Sequence, residues 1–215
     1  MKIAAIIPAF NEEKTIANVI RAAQATHSID EIIVVDDGSS DNTGKIAKDC
    51  GVRVIRLNKN QGKGQALDRG VKATNASILV FIDADLINLT PGHLYKLIEP
   101  LLREEFDMVI GTVDRSELGQ VFCWIVEKTE SPFAGTRALK REFWEEIPDK
   151  YKKDYYIESV LTYFAKKKSL KIKPIILHNV THLIKEKKHG IWHGIRARAK
   201  MFAQMALINI ILRIR

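Results

Sequence analysis

The chain has 215 residues, 46% of them hydrophobic, two cysteines and a formal net charge of +8. That length holds one α/β domain with a substantial core rather than two, and that hydrophobicity excludes a disordered chain. Cys50 and Cys123 stand apart from each other and from any CxxC pair, which excludes a disulfide framework or cysteine zinc site and fits a reducing, cytoplasmic compartment. No basic n-region and apolar h-region precede the first strand pattern, so no secretory leader is expected. The positive charge concentrates between Lys150 and Arg215, suiting anionic lipid headgroups, phosphorylated substrates or nucleic acid. No helix-turn-helix, aromatic RNA-binding signature or zinc finger accompanies it, so nucleic acid is not an expected partner.

Ile3-Ala4-Ala5-Ile6-Ile7-Pro8 predicts a buried strand ended by Pro8. Asn11 is expected to cap a helix, with Glu12 and Glu13 in its first turn and Ile16, Val19, Ile20 and Ala23 on its apolar face. Glu31 to Val35 predicts a second strand, ending in Asp36-Asp37-Gly38-Ser39. Ser40 or Asp41 then caps a helix closed by Gly51, and Val52 to Leu57 predicts a third strand. Asn60-Gln61-Gly62-Lys63-Gly64 reads as a loop opening a third helix. Its glycines permit close backbone approach, the helix start offers free N–H groups, and Lys63 adds a point charge: half a phosphate cradle, without Walker-loop spacing. No GxGxxG follows the first strand, which argues against a nicotinamide-binding domain.

Ile78-Leu79-Val80-Phe81-Ile82 predicts a fully buried strand that stops at Asp83-Ala84-Asp85. In an extended segment, side chains two apart point the same way, so Asp83 and Asp85 are expected to converge and to hold a divalent cation, Mg²⁺ or Mn²⁺. Alternating strands and helices predict a parallel sheet covered on both faces, with ligands beyond the carboxyl ends of its strands. Residues 8–12, Asp36-Asp37 and Asp83-Ala84-Asp85 all fall at that edge.

In the second half, His182 follows the apolar run Ile175-Ile176-Leu177, and a neutral imidazole beside two aspartates completes a sensible ligand set. His178 is its competitor, while His189 and His193 read as surface residues. Glu158 sits among Ile157, Val160, Leu161 and Phe164 at helical spacing. It is either a helix-face carboxylate or the group that orients or deprotonates an acceptor hydroxyl. Arg137, Lys140 and Arg141 bind an acceptor phosphate or solvate a helix face; Trp124, Trp144 and Trp192 read as packing. Residues 191–215 predict a basic amphipathic helix, too short to span a bilayer. It fits three uses: lying on an anionic membrane, covering the sheet, or pairing in a homodimer.

Pro-Ala-Phe-Asn-Glu-Glu at 8–13, Val-Val-Asp-Asp-Gly-Ser-Ser-Asp at 34–41, Asn-Gln-Gly-Lys-Gly-Gln-Ala-Leu at 60–67 and Phe-Ile-Asp-Ala-Asp-Leu at 81–86 together resemble the GT-A nucleotide-sugar glycosyltransferases of family 2. The resemblance implies an α/β fold with a mostly parallel, Rossmann-like sheet flanked by helices. It implies donor contacts from Pro8, Ala9, Glu12, Asp37, Gly62, Lys63 and Asp83. Asp37 would read the base, Lys63 would approach the diphosphate, and Asp85 would ligate a Mg²⁺ or Mn²⁺ ion that neutralises the departing nucleoside diphosphate. In this reading Asp85 and Glu158 are the catalytic pair, and Asp83, Asp85 and His182 hold the metal.

Asp83-Ala84-Asp85-Leu86-Ile87-Asn88 is similar to the glucosyl-3-phosphoglycerate synthase group, and more distantly to the dolichyl-phosphate mannose synthases. Pro132-Phe133-Ala134-Gly135-Thr136-Arg137 resembles that group's acceptor loop with Thr for its usual Glu, which places Gly135, Thr136 and Arg137 at the acceptor. Tyr155-Tyr156-Ile157-Glu158 and Val180-Thr181-His182 resemble its two later segments, again with substitutions, and residues 111–130 are short for it. The implied layout is one domain, with a nucleotide-sugar half (1–110), an acceptor half (111–190) and the terminal helix (191–215). The implied reaction transfers a sugar from a UDP-glucose- or GDP-mannose-type donor to a hydroxyl or phosphate acceptor. A polyprenyl-phosphate glycosyltransferase at the membrane surface, a nucleotidyltransferase and a non-catalytic nucleotide-sugar binding module remain the alternatives.

Overall fold

The structure is a computed structural model, and it describes residues 1–113, 135–152 and 157–183. Pro132 to Ala134, the pair Tyr155-Tyr156, Cys123, Trp124, Trp192, His189, His193, the length of the 111–130 segment and the terminal helix all lie wholly or partly outside those residues.

Nine strands run β1 (Ile3–Ala9), β2 (Glu31–Asp36), β3 (Arg53–Arg56), β4 (Ile78–Phe81), β5 (Leu86–Ile87), β6 (Met108–Val113), β7 (Arg137–Lys140), β8 (Ile172–Leu177) and β9 (Thr181–His182) among the described residues. Among the described residues six α-helices lie between them: α1 (Ile16–Gln24), α2 (Thr43–Asp49), α3 (Lys63–Lys72), α4 (Pro91–Leu102), α5 (Arg141–Glu145) and α6 (Ile157–Lys167). Seven strands form one sheet in the order β3-β2-β1-β4-β7-β6-β8, and β5 pairs with β9 apart from it. Only β7 runs antiparallel to its neighbours β4 and β6 within that sheet. The expected doubly covered, mostly parallel sheet is therefore the architecture, with one reversed strand.

Period-two alternation sorts the core into two layers. Ile78, Val80 and Ile82 point toward the layer built with α1, α2 and α4. Leu79 and Phe81 point toward the layer built with α3, α5 and α6. Each central strand is apolar on both sides because both sides are covered. In the second layer Phe81 meets Trp144 edge to face, with centroids 5.1 Å apart.

Local geometry departs from expectation at the first helix. Asn11 adopts a left-handed φ of 56° rather than capping, and α1 begins only at Ile16 after Thr15. Its side-chain oxygen instead accepts from the Ser40 amide at 2.8 Å, which binds the loop after β1 to the loop after β2. Arg141 also differs from the two roles its sequence suggests. Its guanidinium donates to the carbonyls of Ala76 (2.6 Å), Thr74 (2.7 Å) and Val71 (3.2 Å), so it closes the carboxyl end of α3. Lys140 is likewise paired, with Asp107 at 2.8 Å.

Charge-assisted bonds from a largely buried guanidinium are costly to lose. Arg141→Met should lower unfolding free energy by about 2–3 kcal/mol, read from the denaturant midpoint at unchanged m-value. A midpoint equal to wild type would show that these carbonyls find other donors.

Candidate active site

β1, β2 and β3 end in register, with Ala9 opposite Asp36 and Asp36 opposite Arg56. The loops that follow therefore share one edge of the sheet. They are laced together by side chain to backbone bonds. Glu12 donates its amide to Thr43 Oγ1 at 2.8 Å, and Glu13 accepts from the Asn42 amide at 3.1 Å. Pro8 and Ala9 lie at the end of β1; Ala9 and Glu12 are buried, and Phe10 between them is exposed. Asp36 is fully buried, takes the Ser39 amide at 2.9 Å and lies 3.3 Å from the Arg56 guanidinium.

Asp37 organises the glycine loop. Its two carboxylate oxygens accept the amides of Gln61 (2.7 Å) and Gly62 (2.8 Å), while its own amide donates to Ala9 O. Burial pushes its carboxyl above the ordinary range, more strongly than those two amides pull it down. Gly62 has φ +93°, a conformation that side-chain-bearing residues rarely adopt, and Lys63 opens α3 immediately after it. The Asp37 carboxylate is thus bonded to the loop that launches Lys63.

The parity of β4 directs Asp83. Leu79, Phe81 and then Asp83 continue on the side of α3 and α6, and Asp83 meets Lys63 there. Lys63 Nζ donates to Asp83 Oδ1 at 2.5 Å and to Glu158 Oε1 at 2.6 Å. All three side chains are 13–15% exposed. Burial alone would lower the lysine's pKa, but the two carboxylates outweigh it and raise it. Burial likewise raises the Glu158 pKa despite the attraction of Lys63. Thr136 joins through its hydroxyl, which accepts the Asp83 amide at 3.4 Å. Gly135 lies directly on the pair: a Cβ there would collide with Lys63 Nζ and both Asp83 oxygens. Arg137 is fully buried, and its Nη1 donates to the backbone carbonyl of Glu158 at 3.3 Å, so its guanidinium lies under the site rather than open to an acceptor.

Asp85 takes a different direction from Asp83. The chain turns at Ala84 and Asp85, and β5 pairs with β9 so that Leu86 lies opposite His182. The Leu183 amide donates to the Asp85 carbonyl at 2.9 Å, and His182 Nδ1 stands 3.0 Å from Asp85 Oδ1. Burial tends to lower the imidazole's pKa; the Asp85 contact overrides it and raises the value. The expected metal set is therefore divided in this structure: Asp85 and His182 face each other, and Asp83 is turned to Lys63. Among the described residues no three His, Cys, Asp or Glu side chains gather as a metal-holding group. Sequence reasoning missed the Arg137 burial, because a strand of four residues gave no usable period.

The family pattern described as "Glycosyl transferase family 2" matches residues 4–188. The chain belongs to glycosyltransferase family 2. An uncharacterized protein of Methanocaldococcus jannaschii is 33% identical over 199 residues, which cover 81% of this glycosyltransferase and 80% of that protein. The glucosyl-3-phosphoglycerate synthase of Mycobacterium tuberculosis is 41% identical over 125 residues, 54% of this chain and 39% of that enzyme's length. The UDP-N-acetylglucosamine–dolichyl-phosphate N-acetylglucosaminyltransferase of Methanococcus voltae is 37% identical over 127 residues, half of each chain. The mycobacterial synthase solved with Mn²⁺, UDP and phosphoglyceric acid superposes with a TM-score of 0.78 at 27% identity, covering 95% of this glycosyltransferase and 76% of that chain. The same synthase with Mn²⁺, UDP and glucosyl-3-phosphoglycerate gives 0.73 at 29%, covering 85% and 72%.

Two outcomes follow from the geometry. Gly135→Ala should separate Lys63 from Asp83 and lower the melting temperature by roughly 5 °C, about 2 kcal/mol of overpacking; an unshifted melt would mean the loop relaxes freely. The metal-free protein should also lose stability as pH rises. Because the folded His182 pKa lies above its unfolded value near 6.5, its contribution is complete below that pH and fades as pH climbs through the folded pKa. His182→Ala should flatten that part of the melting profile, and an unchanged profile would assign the loss to another group.

Proposed function

We propose that this family-2 enzyme transfers a hexose from a UDP-sugar, with UDP-glucose the first choice and a GDP-sugar the second, to a small phosphorylated acceptor. The observation that carries the reading is that the Lys63–Asp83–Glu158 ion set and the Asp85–His182 pair are built on the residues that directly follow β4. The mycobacterial synthase, whose bound UDP, glucose donor and phosphoglycerate are named for its own structures, supports the donor and acceptor classes.

The residues fit a Mg²⁺ or Mn²⁺ ion as a two-point anchor. A carboxylate from Asp85 and an imidazole from His182, held together by the β5–β9 pairing, suit such a cation, which commonly fills its remaining positions with water and substrate phosphate. When bound, it supplies Lewis-acid neutralisation of charge on the leaving diphosphate. The protein's own groups do the rest. Pro8, Ala9, Glu12 and the loop held by Asp37 would receive the nucleoside. Lys63 would meet the diphosphate, exchanging part of its pairing with Asp83 for phosphate oxygen. Glu158, 2.6 Å from that lysine, would orient the sugar or the acceptor hydroxyl or take its proton. Gly135 and Thr136 would form the wall against which the acceptor lies.

A second reading has support of its own: a lipid-phosphate acceptor, on account of the dolichyl-phosphate enzyme's similarity over half of each chain. No helix among the described residues is long and apolar enough to cross a membrane. Peripheral contact would fall to the basic segment 191–215, which lies outside those residues and also stays a candidate dimer element.

The deciding measurement is nucleoside diphosphate release from UDP- and GDP-sugars with Mn²⁺ or Mg²⁺, using phosphoglycerate or polyprenyl phosphate as acceptor. Asp85→Asn should reduce metal-dependent turnover at least about 100-fold, since even partners behind a ligand cost 10–100-fold. Lys63→Ala should weaken donor binding. Pyrophosphate release from a nucleoside triphosphate, or donor binding without turnover, would replace the proposal with a nucleotidyltransferase or a binding module.

A further inference from the structure

Among the described residues Arg137 is the one arginine in the set of largest fully buried side chains, at 0% exposure. It lies on β7, opposite Phe81 of β4 and Ile110 of β6. Opposed residues in a sheet share a face, and Phe81 and Ile110 both belong to the layer covered by α3, α5 and α6. Arg137 therefore enters that apolar layer one pleat below Asp83. A strand position between Phe81 and Ile110 has no packing reason to hold a guanidinium, and burying one is expensive unless counter-charges meet it.

The counter-charges are there. Glu158 and Asp83 are the two groups whose attraction opposes the effect of burial on Arg137, and the guanidinium stays protonated. Arg137 Nη1 donates to the Glu158 carbonyl at 3.3 Å, and the Thr162 hydroxyl donates to the same oxygen at 3.1 Å. Glu158 is the second residue of α6, so this bond holds the first turn from which its carboxylate reaches Lys63. The cluster contains two cations, Lys63 and Arg137, and two carboxylates, Asp83 and Glu158. The Lys63 ammonium ties the two carboxylates together from one side. The guanidinium balances them from within the core, and it lies on the strand that leads back to Thr136 and Gly135.

We propose that Arg137 is the positioning residue of this site: it fixes the first turn of α6 and balances the Glu158–Asp83 charge, so that Glu158 stays aimed at Lys63, without touching donor or acceptor. This deepens the transferase reading and rests on it for the catalytic consequence, while the electrostatic part stands independently. A side chain with no exposed surface offers no contact to a phosphate in solution.

The test uses the full chain, metal-free, in a melting cycle of wild type, Arg137→Met, Glu158→Gln and the double variant. Arg137→Met should lower the melting temperature by roughly 10 °C, because it leaves an uncompensated buried carboxylate. Adding Glu158→Gln should return at least about half of that loss, since removing both charges restores balance. Adding the remote Glu31→Gln should return none. Additive losses would overturn the proposal and leave Arg137 a packing residue. If Arg137→Met alone does not fold, Glu158→Gln must restore a cooperative melt; a double variant that stays unfolded overturns it equally. In turnover, Arg137→Lys should retain most of kcat. Arg137→Met, where folded, should lose at least about tenfold in kcat with UDP affinity held within about threefold, the mark of a lost aim rather than a lost contact. A weakened acceptor KM with kcat intact would instead make Arg137 an acceptor ligand. Absence of turnover in the wild type would count against the transferase reading alone, because the melting cycle needs no substrate.

Discussion

The Lys63 ammonium between Asp83 and Glu158 is the contact on which the site depends. It joins the start of α3, the end of β4 and the first turn of α6, segments separated by 20 and 95 residues. An ion set this enclosed adds little net stability over apolar residues of equal volume, but breaking it leaves a charge without a partner, at a cost of about 3–5 kcal/mol. The arrangement is thus tolerant of nothing except complete pairing. That demand explains why the neighbouring wall is Gly135, where a single methyl group would stand in the lysine's place.

The loops at the ends of β1, β2 and β3 follow a different principle. There the shape is carried by backbone amides rather than by opposed charges. Asp37 collects two amides from the glycine loop, Asn11 collects one from Ser40, and Thr43 takes one from Glu12. Each short polar side chain spans two loops that leave adjacent strands. Register in the sheet brings those loops side by side, and the polar side chains fix their separation. The loops are thereby tied to one another through side chain to backbone bonds.

Much of this was legible in the residues. The apolar runs of β1, β2 and β4 could only be covered strands, and their terminal Pro-Ala, Asp-Asp and Asp-Ala-Asp clusters had to share an edge once the strands were parallel. The Lys63 loop was readable from its glycines. What could not be read depended on distance. Asp83 and Asp85 were expected to point together, but a turn at Ala84 and Asp85 ends the extended geometry that the expectation assumed, and the two carboxylates find different partners. Arg137 and Arg141 were read as open cations. Nothing local marks one as filling a buried charge balance and the other as closing a helix, because their partners lie up to 70 residues away. The left-handed turn at Asn11 was hidden for the opposite reason. Asn is equally at home as a cap and in that conformation, and only its bond to Ser40 decides.

The reversed strand β7 has a wider meaning. It comes after β6 in sequence, yet it lies in the middle of the sheet, between β4 and β6. Neither the strands before it nor those after it can be lifted out as a building block without tearing open the shared interior. Diversification of such an enzyme cannot proceed by trading one stretch of the chain for another; it is confined to loops that leave this shared plank. New substrates would then come from altered loop lengths and tips, over a foundation that the whole sheet must keep in common.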